Sequence, residues 1–92
     1  MLHDIVFVEP LPKRILRLRF DDGVEGLVDI GALLPFTGIF APLKEESVFR
    51  AVRVDSELGT IVWPNGADLD PQVLYLKVAG LRASSGPLES PG

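Results

Sequence analysis

The chain has no cysteine among its 92 residues. This absence excludes a disulfide framework, a thiolate nucleophile and a zinc site built on cysteine. Small secreted domains usually depend on disulfides, so the composition predicts a cytoplasmic protein. No apolar run approaches the roughly 20 residues that span a bilayer, and the first residues lack the basic-then-apolar pattern of a signal peptide. We therefore expect no membrane among its partners.

Histidine is almost absent as well, because His3 is the single one. A catalytic triad or a metal site needs a histidine together with a nucleophile or further ligands, so we expect His3 to be solvated at the start of a strand. The acidic residues Asp21, Asp22, Glu25 and Asp29 lack the alternate spacing of a calcium-binding loop. The chain also lacks the GxGxxG, HExxH and GxSxG motifs. We predict a protein that is not an enzyme, with no catalytic residue, metal or cofactor.

Positive charge is scarce, since nine lysines and arginines face 13 acidic residues, for a formal net charge of −4. Strong non-specific binding of nucleic acid needs a basic surface, which disfavours this role for the chain alone. The one basic concentration contains Lys13, Arg14, Arg17 and Arg19. A strand can present such residues to phosphates, or it can be a solvated face whose charge prevents aggregation. Contact of Arg14, Arg17 and Arg19 with nucleic acid, in an accessory component of a transcription regulator, is therefore one alternative function.

The pattern of apolar residues predicts a small α+β fold. An N-terminal strand over 5–8 precedes two hairpins, over 14–28 and 52–63. Two short helices are expected, one over 43–49 and one over 71–78. The expected architecture is a mainly antiparallel sheet of about five strands with two short helices.

The register of both hairpins follows from the alternation of their residues. A three-residue turn in the first hairpin and a four-residue turn in the second keep one face of each apolar. The expected pairs are Phe20 with Val24, Arg19 with Glu25, Leu18 with Gly26 and Leu16 with Val28, then Val54 with Ile61 and Val52 with Trp63.

Capping residues predict where the helices begin and end. Asp29 is expected to cap a brief helical turn, and either Asp68 or Asp70 is expected to cap the last helix. Gly80 is the expected stop of that helix.

A chain of this length is one domain. We expect the domain to cover residues 1–82. Residues 83–92 contain too few apolar side chains to offset the entropy of ordering, so a flexible tail is expected there.

The loop over 33–40 is unusually apolar for a connecting segment. Solvated loops are polar, so this one is expected to lie across the open face of the sheet as a lid on the core. An apolar run of this kind can also form part of a partner surface. Phe36 and Phe40 are therefore candidate contacts to a partner.

The stretch over 59–75 combines the single tryptophan with a Pro-Asn-Gly turn and two acidic residues. Trp63, Asn65 and Asp68 are candidate contacts to a ligand or partner, and a small-ligand pocket or a hydrolase site around Trp63 and Asp68 is a second alternative function. A structural interpretation competes with it, in which Trp63 fills the core, Asn65 turns the chain and Asp68 caps a helix.

The same residues resemble domain-of-unknown-function family 2442, which is related to the N-terminal domain of a Nitrosomonas protein of unknown role. The likeness covers about residues 2–78, and Gln72 departs from it where many relatives carry an acid. The matching pieces are Phe-Asp-Asp-Gly at 20–23, Val-Asp-Ile at 28–30, Gly-Ile-Phe at 38–40, Pro-Leu at 42–43, Phe49, Val-Arg-Val-Asp at 52–55, Gly-Thr-Ile-Val-Trp-Pro-Asn-Gly-Ala-Asp-Leu at 59–69 and Leu-Tyr at 74–75.

This resemblance implies a bacterial α+β protein with a mainly antiparallel sheet and no established activity. It also implies that members occur alone, fused to a helix-turn-helix domain, or beside another small protein in an arrangement like a toxin–antitoxin pair. With the apolar lid and the open sheet edges, it favours a non-enzymatic protein-interaction module, antitoxin-like, whose partner is a small protein encoded nearby. A homodimer formed through the same edges or lid is the other partner considered.

Overall fold

The computed structural model describes residues 3–84. Within them lie five strands, three α-helices and two 3-10 segments, so the predicted α+β fold is confirmed. The strands are β1 (Ile5–Leu11), β2 (Ile15–Phe20), β3 (Glu25–Asp29), β4 (Arg53–Asp55) and β5 (Thr60–Val62). The helices are α1 (Ile30–Leu33), α2 (Glu46–Phe49) and α3 (Pro71–Ser84), and the 3-10 segments cover Pro12–Arg14 and Gly38–Lys44.

The five strands are divided between two antiparallel sheets. The larger has the order β1-β2-β3, and the smaller contains β4 and β5. The Ile5 amide donates to the Gly59 carbonyl at 2.9 Å, which joins β1 to the turn between β4 and β5. The smaller sheet therefore lies beyond β1, and β3 forms the opposite edge of the larger sheet.

The predicted register of both hairpins is confirmed. Leu18 is paired with Gly26 and Leu16 with Val28, while the Phe20 amide donates to the Val24 carbonyl at 2.8 Å. In the second hairpin Val54 is paired with Ile61. The first turn needs a glycine, because Gly23 has a φ of +90°, a region that side chains disfavour.

The helix predicted over 43–49 is wrong as a single element. The 3-10 segment Gly38–Lys44 ends at Glu45, which has an extended backbone, and α2 begins after it. The Arg14 guanidinium donates to the carbonyls of Leu43 and Lys44 at 3.0 and 2.5 Å. These are the acceptors that a continuous α-helix would use for its own next turn, so a contact distant in sequence divides the helix.

The last helix begins after Asp70, one of the two predicted capping residues, and it ends later than predicted. Asp70 is the cap, since its carboxylate accepts from the Gln72 amide at 2.9 Å. The helix does not stop at Gly80 but continues to Ser84, because an interior glycine costs a helix only about 1 kcal/mol relative to alanine. Of the predicted tail, residues 83 and 84 belong to α3, and 85–92 lie outside the described residues.

The core lies between the inner face of the larger sheet, the smaller sheet and α3. Its buried residues come from most elements of the described chain and form one cluster of contacting side chains. They are Ile5, Leu16, Leu18, Phe20, Val28, Ile30, Leu43, Phe49, Val52, Ile61, Trp63, Ala67, Leu74 and Val78. Among residues 3–84, no helix combines the length and the apolar character needed to cross a bilayer.

The approach of α3 to β3 depends on the missing side chain of Gly26. A Cβ atom built there would lie 2.8 Å from Cγ1 of Val78, closer than real side chains pack. We predict that Gly26→Ala lowers the free energy of unfolding by about 1–3 kcal/mol through overpacking. In a Val78→Ala background the same substitution should cost much less, because the opposing methyl group is gone. Urea unfolding of the four proteins measures this coupling, and purely additive losses would contradict the close approach.

Candidate functional site

Trp63 belongs to the core and does not reach a ligand-accessible surface. The residue is 1 % exposed, and its indole N–H donates to the Phe49 carbonyl at 3.0 Å. A buried indole usually needs such a partner. Both its apolar ring and its polar atom are therefore used within the fold.

Asn65 and Asp68 also have positions that the fold explains. The Asn65 side-chain amide donates to the Ile39 carbonyl at 2.8 Å, and its oxygen accepts from the Ala67 amide at 3.3 Å. Asp68 is exposed, and its backbone forms an isolated bridge with Val62. The structure thus separates a buried Trp63 from an exposed Asp68. This separation disfavours a ligand pocket or hydrolase site around these two residues, which stays a prediction.

The apolar loop lies against the core as the lid that the sequence predicts. Phe36 and Phe40 are partly buried and pack on the core cluster, whereas Ile39 between them is 54 % exposed. The two phenylalanines are mainly structural in this arrangement, and Ile39 presents the accessible apolar surface.

Of the basic residues in β2 and in the segment before it, the three arginines have partners inside the chain. Lys13 and Arg14 have positive φ angles of 65° and 61°. The Arg14 guanidinium lies 5.6 Å from the centre of the Phe49 ring, besides binding the two loop carbonyls. This arginine is therefore a structural link between β2 and the loop.

On the outer face of β2 the positive charges are balanced by neighbouring strands. Arg17 forms an ion pair with Glu9 at 3.0 Å. Arg19 lies 5.3 Å from the centre of the Phe7 ring and is paired with Glu25 across the strands. Phosphate binding depends on uncompensated positive charge, so this geometry disfavours the alternative function in nucleic-acid binding.

One polar cluster at the tip of the first hairpin escaped the sequence analysis. His3 stacks on the Tyr75 ring with centroids 4.0 Å apart, and its Nδ1 lies 3.6 and 3.5 Å from carboxylate oxygens of Asp21 and Asp22. The Tyr75 hydroxyl donates to Asp22 at 2.7 Å. The expectation that His3 is merely a solvated residue is therefore incomplete. Sequence reasoning had no signal for it, since 72 positions separate His3 from Tyr75.

The cluster could supply ligand atoms for a cation, and it has a simpler structural role. Suitable atoms of His3, Asp21 and Asp22 lie within 4.8 Å of one another. The hydrogen bond from Tyr75, followed by one from the Val24 amide and by the electrostatic attraction of His3, holds the pKa of the Asp22 carboxyl below its ordinary value. These contacts fasten α3 to the hairpin turn, and that role accounts for the geometry.

A groove lies at the free edge of β3. Its volume is about 240 Å³, and it is lined by Leu27, Val28, Asp29, Ala32, Leu33 and Lys77. The groove lies between α1 and α3, with an apolar floor and one charged side chain on each side. The sequence did not predict this groove, because the pattern of residues within each helix does not specify how the two helices are placed relative to each other.

Apolar side chains are also exposed on β3 and on α3, the helix whose Lys77 lines the groove. Leu27 is 52 % exposed on the outer face of β3, where the alternating pattern would place a polar residue. On α3, Val73 and Leu76 are 43 % and 59 % exposed, and they share a helix face with Lys77. We call Leu27, Val73, Leu76 and the groove residues the β3–α3 surface. Leu27 was the one sequence signal that pointed to it.

Comparison with known proteins identifies a family and no individual relative. A family model described as "Protein of unknown function (DUF2442)" matches residues 5–80. No curated protein matches the chain significantly, and neither does a solved structure.

The Tyr75 hydroxyl is predicted to stabilise the fold in a pH-dependent way. The pKa of Asp22 is lower in the folded chain than its ordinary value of 3.8, so this contribution is present above that value. It is lost as the pH falls through the folded-state pKa. Tyr75→Phe should therefore lower the free energy of unfolding at pH 7, and the difference should disappear in stronger acid. Urea unfolding across this range measures it.

The matched control for this prediction is Asp22→Asn, which removes the titrating group. In that background Tyr75→Phe should show no acid-dependent loss. If Tyr75→Phe still lowers the free energy of unfolding in an acid-dependent way in the Asp22→Asn background, the hydroxyl acts through another partner.

Proposed function

We propose a non-enzymatic protein-binding role for this chain, which belongs to the DUF2442 family of proteins of unknown function. The observation that carries the proposal is the β3–α3 surface, where Leu27, Val73 and Leu76 are each more than two-fifths exposed beside an apolar groove. Exposed apolar side chains near a groove on a small domain are typical of a site that a partner covers.

The composition of α3 supports this role. Leu74 and Val78 face the core, and Val73 and Leu76 face outward. A helix that is apolar on both sides is typical of one that is buried on both sides. In the described part of the chain only the inner side of α3 is covered, so a partner on the outer side would complete its burial.

The partner we propose is a small protein encoded beside this one in a bacterial genome, with this chain in an antitoxin-like position. The resemblance noted in the sequence suggests that arrangement. The net charge of −4 favours a basic partner and would speed their encounter. Binding is proposed to occur in the cytoplasm. A homodimer through the same surface is the competing arrangement.

Co-expression of the tagged chain with the adjacent open reading frame tests this function. We expect the neighbouring protein to copurify, and we expect Leu76→Lys to weaken binding at least about tenfold, since truncating or charging a central interface residue costs more than about 1.4 kcal/mol. The matched control is Leu58→Lys. Leu58 is 57 % exposed in the turn between β4 and β5, and it does not line the groove.

A chain that remains monomeric and never retains its neighbour would contradict the proposal. Equal losses from Leu76→Lys and Leu58→Lys would show that binding uses another surface. A dimer seen by light scattering without any bound neighbour would favour self-association instead.

A further inference from the structure

The outer edge of β3 has backbone groups directed at solvent. The Phe20 amide donates to the Val24 carbonyl, so this pair occupies a hydrogen-bonded position, and such positions alternate along an antiparallel ladder. The pairs Leu18 with Gly26 and Leu16 with Val28 are therefore also hydrogen-bonded, so the N–H and C=O groups of Leu27 point away from β2. Within residues 3–84, β3 has no second neighbouring strand, and no hydrogen bond reaches these two groups.

The groove runs along this same edge and has the size of a side-chain site. Its volume of about 240 Å³ is below the range of roughly 300–1,000 Å³ typical of small-molecule pockets. Val28, Ala32 and Leu33 supply its apolar wall. A strand lying beside β3 would direct every second side chain toward this wall.

We infer that β3 is extended by a strand from the protein partner, which adds to the sheet along the edge at Leu27. Main-chain hydrogen bonds to Leu27 hold the added strand, and an apolar side chain fills the groove. Strand addition of this kind obtains affinity from the main chain and specificity from pockets for alternate side chains. The inference rests on the proposed protein-binding function and names its surface and the kind of segment bound.

Charge selects the sequence of the added strand. The outer face of β3 carries Glu25 and Asp29 on either side of Leu27. Glu25 already lies opposite Arg19 of β2, so Asp29 and the net charge of −4 favour basic outward side chains in the partner. On the groove side Lys77 repels a basic residue, while its alkyl stem accepts apolar contact. The segment that fits therefore alternates lysine or arginine outward with valine, leucine or isoleucine inward.

The same charges disfavour a second copy of this chain as the occupant. If two β3 strands paired about a two-fold axis at Leu27, each Glu25 would lie opposite the Asp29 of the other copy. Like charges directly opposite each other destabilise a strand pair. The two acidic residues thus disfavour pairing of this edge with the same edge of a second copy, and charged residues commonly have this effect at exposed strand edges.

The segment over 85–92 of this chain fits the edge poorly as well. It contains Pro87 and Pro91, which cannot donate to a ladder, and Glu89 instead of a basic residue. A basic, alternating strand from another protein meets both the backbone and the charge requirement.

The test uses a synthetic peptide as the added strand. An acetylated, amidated Lys-Val-Lys-Leu-Lys-Val-Lys peptide with a fluorophore is titrated with the full chain, and anisotropy reports binding. A peptide with glutamate in place of every lysine is the charge control. We expect the basic peptide to bind at least about tenfold more tightly than the acidic one. Equal affinities would overturn the charge argument.

Two variants test the edge and the groove separately. Leu27→Pro removes an N–H that points away from β2, so the ladder between β2 and β3 stays intact. Ala32→Trp fills the groove from its wall. Each should weaken peptide binding at least about tenfold, while Leu58→Thr should leave it unchanged. Circular dichroism establishes that the variants are folded. Unchanged binding by folded Leu27→Pro and Ala32→Trp would overturn the inference.

The remaining outcomes distinguish this inference from the proposed function. If the neighbouring protein binds both the native chain and Leu27→Pro equally, the interaction role stands and strand addition at β3 is wrong. If deletion of residues 85–92 raises peptide affinity at least about tenfold, the chain's own C-terminal segment occupies the edge, which also overturns the inference. A dimer that Leu27→Pro abolishes would identify a second copy as the occupant and overturn it in the same way.

Discussion

The hydrogen bond from the Trp63 indole to the Phe49 carbonyl is the interaction on which the rest of the structure depends. It joins the end of the second hairpin to the end of α2 inside the core. A buried donor left without its acceptor would cost about 1–3 kcal/mol, so the two segments are held together. Asn65 adds a second link two residues later, by donating to the Ile39 carbonyl. The lid, the smaller sheet and the start of the 65–70 segment are positioned by this corner.

The aromatic corner is enclosed, whereas apolar side chains of β3 and α3 remain exposed. The close approach of α3 at Gly26 brings Lys77 beside α1 and creates the groove along β3. A larger residue at Gly26 would hold α3 farther from the sheet and open the groove to solvent. The small contact between a glycine and a valine therefore determines the shape of the surface to which we assign partner binding.

The sequence predicted the structural features that depend on residues close together in the chain. The turn at Gly23, both hairpin registers and the cap at Asp29, whose carboxylate accepts from the Ala32 amide at 3.1 Å, follow from alternation and turn residues. The division of the helix predicted over 43–49 could not be predicted in this way, because it depends on a hydrogen bond from Arg14 to the Leu43 carbonyl, 29 positions away. The polar cluster around His3 and the groove depend on where α3 packs, which the period of its residues does not specify. The sequence also could not show that folding buries Trp63 and leaves Asp68 exposed.

The left-handed backbone at Lys13 and Arg14 gives the two ends of β2 different responses to acid. At one end it directs the Arg14 guanidinium, which is not a carboxylate, onto the loop carbonyls. At the other end the turn is fastened to α3 through the Asp22 carboxylate, which acid neutralises. Acidification should thus weaken the attachment of the hairpin tip to α3, while the beginning of β2 remains attached to the loop.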